Sequence, residues 1–338
     1  MNPSDIIRAL PKLEQHIHII GSTQPETLLW LIQDSGVKSD LKTLEDVKKH
    51  YRYTDFSHFI RVFSSVNDIV TKESHYELIT YEMLQNEAKF NVRHVEAIWS
   101  AYDHMRRGLD YIKMLNSINV GIRRASKDFG VSCTIRVDLV RNYGPEVGAM
   151  LLDRIKERGD NIVAVDIGGS ENGYPPEPYE SVFRKAREQG LHLVAHAGEA
   201  AGPESVWGAV ECLKVERIGH GVTAVRDQAT IQLLKSRNVT VECCPISNLR
   251  TGAIRSIREH PIREFIENGI KVSLNSDDPS MFGTDMNNEY LVLSRELEFT
   301  PRELANISLS AVDTSFLPEV RKRELREIFV SELQRLQL

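Results

Sequence analysis

The chain has 338 residues, of which 41% are hydrophobic and 27% charged, and these fractions are typical of a globular enzyme rather than of a disordered or fibrous protein. Its formal net charge is -6 and no basic stripe follows the chain, so we expect no nucleic-acid partner. The four cysteines form no CxxC pair, and we find no signal-like leader and no run of about 18 apolar residues. These features argue against secretion and membrane insertion and predict a cytoplasmic protein.

Short apolar runs separated by longer amphipathic segments are the main pattern along the chain. Most of the runs are continuously apolar, which is typical of parallel strands that are covered on both faces. In chain order the predicted strands are Lys12–Ile19, Val92–Trp99, Val131–Leu139, Ile162–Ile167, Leu191–His196, Arg217–Gly221, Val239–Cys243 and Lys271–Ser276. Strands that alternate with helices in this way predict an α/β protein, a (β/α)8 TIM barrel that forms one domain over residues 1–338.

The interval between the first two predicted strands, residues 21–91, is too long for one crossover helix. We therefore predict a helical insertion there, with helices at Pro25–Gly36, Leu44–His50, Asp55–Ile69 and Ser74–Phe90. Later crossovers are assigned to helices at Glu146–Arg158, Glu180–Gln189, Pro203–Leu213, Gln228–Ser236 and Pro261–Asn268. A two-domain doubly wound fold is the alternative, but the chain has neither a glycine-rich phosphate loop nor a linker.

Histidines and aspartates occur where four of the predicted strands end. His16 and His18 end the first strand two residues apart, so they project from the same side of it. His196 ends the fifth strand, His220 the sixth, and Asp277 follows the eighth. The carboxyl ends of barrel strands converge on one face, where imidazoles and a carboxylate suit zinc with one position left for water.

Each of these signals also has an ordinary structural explanation. A lone His-x-His, a histidine at a strand end, or the Asp277-Asp278 pair before Pro279 is often a packing or capping feature. Their joint occurrence at four strand ends of one barrel favours a metal site. Glu199, three residues beyond His196, is then placed to carry a proton to a substrate.

Five stretches of the chain together resemble the adenosine deaminase family of the amidohydrolase superfamily. They run from residue 10 to residue 279 and so span most of the chain. The combination of His-Ala-Gly-Glu with Ser-Asp-Asp-Pro is much more specific than a lone His-x-His. The matching stretches are Leu10–His18, His196–Glu199, Arg217–Gly221, Cys244–Leu249 and Ser276–Pro279. The resemblance implies a deaminase that acts on a small purine and holds one zinc ion per chain through His16, His18, His196 and Asp277.

The resemblance also implies how the amino group is removed. Glu199 protonates the ring nitrogen next to the attacked carbon, His220 orients the attacking hydroxide and takes its proton, and Asp278 hydrogen-bonds the ring nitrogen on the imidazole side. Gly169 matches a backbone contact to the purine. Hydroxide attacks the carbon that bears the amino group, and a tetrahedral intermediate collapses with loss of ammonia.

Two positions depart from the family's pattern. Ile20 stands where nucleoside deaminases carry an acidic or amide residue that meets the sugar 5′-hydroxyl, and Val95–Trp99 lacks the arginine that usually follows the strand's glutamate. Because Ile20 accepts no hydrogen bond, it suits a nucleoside with a carbon substituent at the 5′ position, such as the benzoate-bearing aminodeoxyfutalosine. Arg136 and Arg141 are candidates to pair with that carboxylate, and an internal pair of Arg136 with Asp138 or another acid is the alternative.

Other functions remain open at this point. Adenosine or adenine deamination is one, with Ile20 beside a free base. A two-metal amide or ester hydrolase is another, although such sites usually use a lysine or glutamate on the fourth strand and Ile162–Gly169 contains neither. A non-catalytic binding protein on the same scaffold is the third.

The predicted helix Asp55–Ile69 is the candidate lid over the substrate. Phe59 is then expected to line the substrate wall, and the alternative is that its ring belongs to the core. We expect no membrane partner, and the sequence leaves the oligomeric state open.

Overall fold

Eight parallel strands pair with their neighbours in chain order in this computed structural model, which describes residues 2–53 and 56–338. An isolated bridge between Ile17 on the first strand and Asp277, three residues beyond the last strand, closes the barrel. The strands are β1 (Lys12–His18), β2 (Val92–Trp99), β3 (Ser132–Asp138), β4 (Ile162–Asp166), β5 (His192–Ala197), β6 (Arg217–His220), β7 (Thr240–Cys243) and β8 (Val272–Leu274). The predicted (β/α)8 TIM barrel is confirmed.

Every predicted strand is present, and β8 departs most from its expected bounds. It ends at Leu274 rather than Ser276. Asp277 has a positive φ of 65°, a conformation outside the strand region, so the chain turns toward β1 soon after β8 instead of continuing along the barrel wall.

Helices cover the outside of the barrel. In the described ranges they are α1 (Pro3–Ala9), α2 (Pro25–Ser35), α3 (Leu44–His50), α4 (Phe56–Ile69), α5 (His75–Lys89), α6 (Ala101–Met105), α7 (Tyr111–Phe129), α8 (Pro145–Glu157), α9 (Glu180–Glu188), α10 (Pro203–Gly208), α11 (Gln228–Ser236), α12 (Pro245–Thr251), α13 (Ile262–Glu267), α14 (Pro279–Phe282), α15 (Met286–Glu296), α16 (Pro301–Thr314) and α17 (Glu319–Arg335). The segment after α10 continues as a π-helical turn over Ala209–Leu213, where one longer helix was expected. None of the described helices is long and apolar enough to cross a lipid bilayer.

The helical insertion after β1 consists of α2 to α5. Its first helix begins with Pro25 at the first turn and ends at Gly36, whose φ is 68°, and both are common helix-end signals. The predicted start of the third inserted helix, Asp55, lies outside the described residues. From Phe56 onward α4 packs against α12 and against the turn Ile20–Ser22 that follows β1, so the insertion lies at the carboxyl end of the barrel.

Helix α7 is absent from the helices predicted above, although its buried residues Tyr111, Met114, Leu115 and Ile118 follow helical spacing. It spans 19 residues and packs on α5. Its interior contains Asn116, Ser117 and Asn119, which are weak helix formers, and tertiary packing overrides their preference. The end signals were nevertheless in the sequence, since Asp110 caps the first turn and Gly130 closes the helix at a φ of 73°.

Candidate active site

Three histidines meet at the carboxyl end of the barrel. β1 contributes His16 and His18 from one face, and β5 contributes His196. Their ring nitrogens lie within 4.8 Å of one another, and the ring centroids of His16 and His196 are 4.5 Å apart. The three rings therefore surround one common space.

Asp277 completes this cluster. Its Oδ1 lies 3.5 Å from Nε2 of His16 and 3.3 Å from Nε2 of His18. Its backbone amide donates to the carbonyl of His16 and its carbonyl accepts from the amide of His18, while Ser247 donates to its Oδ2 at 2.6 Å. These bonds hold Asp277 in its unfavourable positive-φ conformation, which is typical of functional positions.

The donor atoms of this cluster fit a metal ion. His16 is fully buried, its Nδ1 lies 2.7 Å from Oε2 of Glu242, and its Nε2 has no hydrogen-bond partner in the part of the chain that the structure describes. With Nδ1 donating to the carboxylate, a neutral His16 ring would present an unshared electron pair on Nε2, on the side of His18 and Asp277. A carboxylate also lies beside the ring of His196, where Oδ2 of Asp166 is 3.0 Å from Nδ1. Carboxylates behind histidines in this manner orient metal ligands.

Arg136 supports the cluster from inside the barrel, which corrects the expectation that it reaches the substrate. Its side chain is 0% exposed, and its guanidinium lies 2.8 Å from Glu242 and 3.0 Å from Asp166. A buried guanidinium must be paired, because an isolated buried charge is very unfavourable. Arg136 therefore holds the two carboxylates that contact His16 and His196. The alternative expectation was that Arg136 pairs with Asp138 or another internal acid. The acids in these two ion pairs are Glu242 and Asp166, not Asp138.

Arg141 is also internal. It is 2% exposed and donates to the backbone carbonyls of Ile167, Gly168, Tyr174 and His196. All of its hydrogen bonds are to main-chain oxygens, so it fixes the loop after β4 against β5 rather than facing a substrate carboxylate.

Glu199 lies in the turn after β5, close to the metal cluster. Its Oε1 accepts from the Thr251 hydroxyl at 3.1 Å and its Oε2 is 3.7 Å from Nε2 of His220. Burial, and then the neighbouring charges of Asp277 and Glu171, raise the pKa of Glu199 to about 8. A carboxyl group with that pKa keeps its proton at neutral pH and is suited to act as an acid.

Glu171 is a site residue that sequence reasoning missed. Its carboxylate accepts from the backbone amides of Gly198, Glu199, Ala200 and Ala201 and from the Ser205 hydroxyl. Five donors on one buried carboxylate fix the turn that carries Glu199 and lower the pKa of Glu171. Only its position shortly after β4, near Gly169, could have pointed to it.

His220 ends β6 with a positive φ of 66°, so its ring turns toward the cluster. Its ring centroid is 4.9 Å from that of His16. Burial lowers the pKa of His220 to about 3, so the ring is neutral. Nε2 lies 4.0 Å from Oδ2 of Asp277 and therefore faces the same space as the three ligand histidines.

Asp278 lies beside the cluster and is held as a neutral acid. Burial and the charges of Asp277 and Glu199 raise its pKa well above its usual range. Its Oδ1 is buried without a hydrogen-bond partner. Gly21 packs so closely against it that a Cβ there would fall 1.6 Å from this oxygen, so the position accepts only glycine. Oδ1 of Asp278 is thus closely packed against Gly21 and has no hydrogen-bond partner within residues 2–53 and 56–338.

The expected substrate-side residues occupy different environments. Ile20 is 5% exposed in the turn after β1. Phe63 is the ring that packs on His18, at 6.2 Å between centroids, and Phe59 is 6% exposed between Phe63 and Phe282. Gly169 is exposed with a φ of 85°, and a Cβ there would meet Asn142. The placement of Phe59 agrees better with the core alternative than with a substrate wall.

Comparisons with known proteins agree with this geometry. The family model for adenosine deaminase matches residues 11–331. An aminodeoxyfutalosine deaminase from Streptomyces avermitilis is 36% identical over 327 residues, which cover 94% of this chain and 90% of the relative. Among solved structures, an adenine deaminase from Arthrobacter aurescens has a TM-score of 0.92 at 28% identity and covers 96% of this chain and 99% of its own.

A second solved structure bears on the metal. It is an amidohydrolase from Burkholderia ambifaria with bound zinc, which has a TM-score of 0.92 at 26% identity over 99% of this chain and 93% of its own. The family match extends over nearly the whole barrel, and the named relatives are hydrolases that act on carbon–nitrogen bonds. The chain therefore belongs to the adenosine deaminase family of the amidohydrolase superfamily.

Proposed function

We propose that the protein is a zinc-dependent hydrolytic deaminase of a 6-aminopurine nucleoside or base. His16, His18, His196 and Asp277 would hold one zinc ion per chain. The observation that carries this proposal is the buried Nε2 of His16, which has no hydrogen-bond partner among residues 2–53 and 56–338 and lies close to the other ligand atoms. Zinc prefers this donor set and, when bound, supplies an activated water at neutral pH.

Glu199 is the proton donor in this proposal. Attack at the carbon bearing the amino group breaks the ring's aromaticity and places negative charge on the adjacent ring nitrogen. A carboxyl group that is still protonated at neutral pH neutralises that charge as it develops. Glu171 accepts from the backbone amide of Glu199, and the Thr251 hydroxyl donates to Oε1 of Glu199, so both residues fix the position of this acid.

His220, Asp278 and Gly169 act on the water and on the purine. His220 directs Nε2 toward the space beside Asp277, where it orients the attacking oxygen. Asp278 presents its free, protonated carboxyl group to the imidazole-side ring nitrogen. The exposed backbone of Gly169 contacts the purine edge. Water adds, ammonia leaves, and the product carries an oxo group in place of the amine.

The substrate in this proposal is modified at the 5′ position, as in aminodeoxyfutalosine. Ile20 is buried in the turn after β1 and offers no side-chain acceptor. Placing a sugar 5′-hydroxyl against it without a partner costs about 1–3 kcal/mol. The Streptomyces relative named for aminodeoxyfutalosine supports the same choice.

Adenine is the second candidate substrate. The Arthrobacter structure that shares this fold is named an adenine deaminase, and a free base has no 5′-hydroxyl to satisfy. Adenosine itself is disfavoured by Ile20. We also propose that residues 1–338 form a single barrel domain that functions in the cytoplasm without a nucleic-acid or membrane partner.

Ammonia release tests the proposal. The zinc-loaded enzyme is assayed with aminodeoxyfutalosine, adenine, adenosine and N6-methyl-AMP, and metal is counted per chain. We expect one zinc and the highest kcat/KM for aminodeoxyfutalosine. Absence of ammonia from all four contradicts purine deamination, and two metals per chain support the two-metal hydrolase instead.

A further inference from the structure

A cavity of about 460 Å³ lies between the end of α3, α12 and α14. Lys48, Arg52 and Arg250 contribute its cationic lining, and Tyr53 and Phe282 contribute aromatic rings. None of these five residues belongs to the metal cluster or to the acids beside it.

The cavity adjoins the candidate active site through two short connections. Asp278 immediately precedes α14, and the last residue of that helix, Phe282, lines the cavity. Arg250 immediately precedes Thr251, whose hydroxyl donates to Glu199. Asp278, which is proposed to contact the purine, and Thr251, which contacts Glu199, thus lie close in sequence to residues of the cavity wall.

The cations that line this cavity form no ion pair within the described part of the chain. Lys48, Arg52 and Arg250 are exposed, and none forms an ion pair with another residue in the ranges 2–53 and 56–338. Elsewhere on the surface, Arg237 pairs with Glu211 and Arg326 with Asp313. Three positive side chains that line one cavity, without an ion-pair partner among residues 2–53 and 56–338, create a potential that attracts anions.

Tyr53 provides an independent sign of a missing ligand. Its hydroxyl is buried and has no hydrogen-bond partner among residues 2–53 and 56–338. The charges of Asp278, Arg250 and Asp277 all act on this hydroxyl, and Tyr53 and Arg250 both line the cavity, so the hydroxyl lies near the cationic cavity and near the carboxyl groups of the candidate active site. A buried hydroxyl without a partner is unfavourable unless a ligand satisfies it.

We propose that this cationic cavity binds an anionic group, a carboxylate or a phosphate, carried on the 5′ side of the purine substrate. The inference rests on the proposed deaminase function and assigns the residues that select the substrate. Three ring contacts separate His18 from the cavity, through Phe63, Phe59 and Phe282, at 6.2, 6.1 and 4.8 Å between centroids. An anion in the cavity therefore belongs to an extension of the nucleoside, not to the purine ring.

Arginine is better suited than lysine to recognise a carboxylate or a phosphate in the cavity. Its planar guanidinium binds carboxylate and phosphate oxygens through two parallel hydrogen bonds, whereas lysine supplies a single point charge. Arg250 and Arg52 are therefore expected to contribute most of the selectivity, and Lys48 mainly the attraction. This moves anion recognition from Arg136 and Arg141, which are internally paired, to residues at the mouth of the barrel.

The test compares substrates that differ only in charge. Aminodeoxyfutalosine is measured against the methyl ester of its carboxylate, and AMP against adenosine. We expect Arg250→Gln and Arg52→Gln each to lower kcat/KM for the preferred anion about 10- to 100-fold while the uncharged partner changes less than about twofold. Arg323→Gln, which removes the same charge from exposed α17, should change neither substrate. If the arginine substitutions separate aminodeoxyfutalosine from its methyl ester more strongly, the bound anion is a carboxylate. If they separate AMP from adenosine more strongly, it is a phosphate.

Binding of the deaminated products tests the cationic-cavity proposal without any catalytic turnover. Calorimetry on the zinc-loaded enzyme should give tighter binding of the acid product than of its ester, or of IMP than of inosine, and Arg250→Gln should abolish that difference. Equal binding within both pairs overturns the cationic-cavity proposal even if purines are deaminated. Absence of ammonia from every substrate overturns the deaminase proposal even if the charged product binds more tightly.

Discussion

The side-chain amide of Asn248 donates to Nδ1 of His220 at 3.1 Å, and this bond determines which ring nitrogen carries the proton. The backbone amide of Ile262 donates to Nδ1 of His260, so Nε2 of His260 carries a proton and donates to Oδ1 of Asn248. The Asn248 amide can then face His220 only with its NH2 group. The neutral His220 ring consequently bears its proton on Nε2, directed toward Asp277 and Glu199.

Asn248→Asp should disturb catalysis without removing the metal. An aspartate accepts from Nδ1 of His220 and so favours the opposite tautomer, which leaves Nε2 without the proton that orients the attacking oxygen. We expect kcat to fall about 10²-fold or more, as for loss of one oriented donor. Kinetics and metal analysis of the same preparation measure both quantities. A variant with normal kcat contradicts the assigned tautomer.

Glu199→Gln should retain zinc and lose most turnover. The amide matches the carboxyl group in shape but cannot donate an ionisable proton to the ring nitrogen, so we expect a loss of about 10²- to 10⁴-fold in kcat. Thr251→Val is the matched comparison, because it removes one hydrogen bond to Oε1 and leaves the acid in place. Near-normal activity of Glu199→Gln contradicts its role as the acid.

Asp277→Asn should lower both metal content and activity. The amide removes the negative charge that lies between His16 and His18 and weakens the donor set for a dication. Metal analysis after gel filtration measures the loss. Full zinc occupancy in this variant contradicts the assignment of Asp277 as a ligand.

Glu242→Gln should reduce stability as well as metal affinity. Glu242 is fully buried and contacts His16, Arg136 and Arg217, so the substitution leaves buried charges without their partner. Breaking a buried pair in this way costs about 3–5 kcal/mol, and loss of a carboxylate behind a metal ligand lowers affinity about 10- to 100-fold. Thermal unfolding and zinc titration measure the two effects.

Glu216→Gln is the control for the stability effect, since Glu216 forms a solvent-exposed pair with His192. An exposed ion pair contributes about 0–1 kcal/mol. If the two variants unfold at the same temperature, the buried network below the metal cluster does not stabilise the barrel as described.

The strands and the histidines at their ends could be predicted from the sequence, whereas the buried charged residues that contact those histidines could not. Continuous apolar runs and strand-end histidines are local signals, so β1, β5 and β6 and their histidines could be placed without a structure. The level of a side chain along the barrel axis depends on inter-strand register, which a single sequence does not contain. Arg136 on β3 pairs in register with Ile98 on β2 and points below the cluster, where it meets Glu242 from β7.

On the substrate side, the contacts between loops could not be predicted from the sequence. Glu171 reaches the turn at Gly198–Ala201 only because the loop after β4 folds over the end of β5. Similarly, Arg52 and Arg250 are about two hundred residues apart and become neighbours because the inserted helices pack on α12. Neither arrangement leaves a local pattern in the sequence.

Removal and restoration of zinc tests the central claim most directly. The enzyme is treated with a chelator, dialysed, and assayed for ammonia release from its preferred aminopurine before and after one equivalent of zinc is added. The proposed site predicts that activity disappears with the metal and returns in proportion to zinc up to one ion per chain. Ammonia release that persists at full rate in the metal-free enzyme contradicts the proposed function.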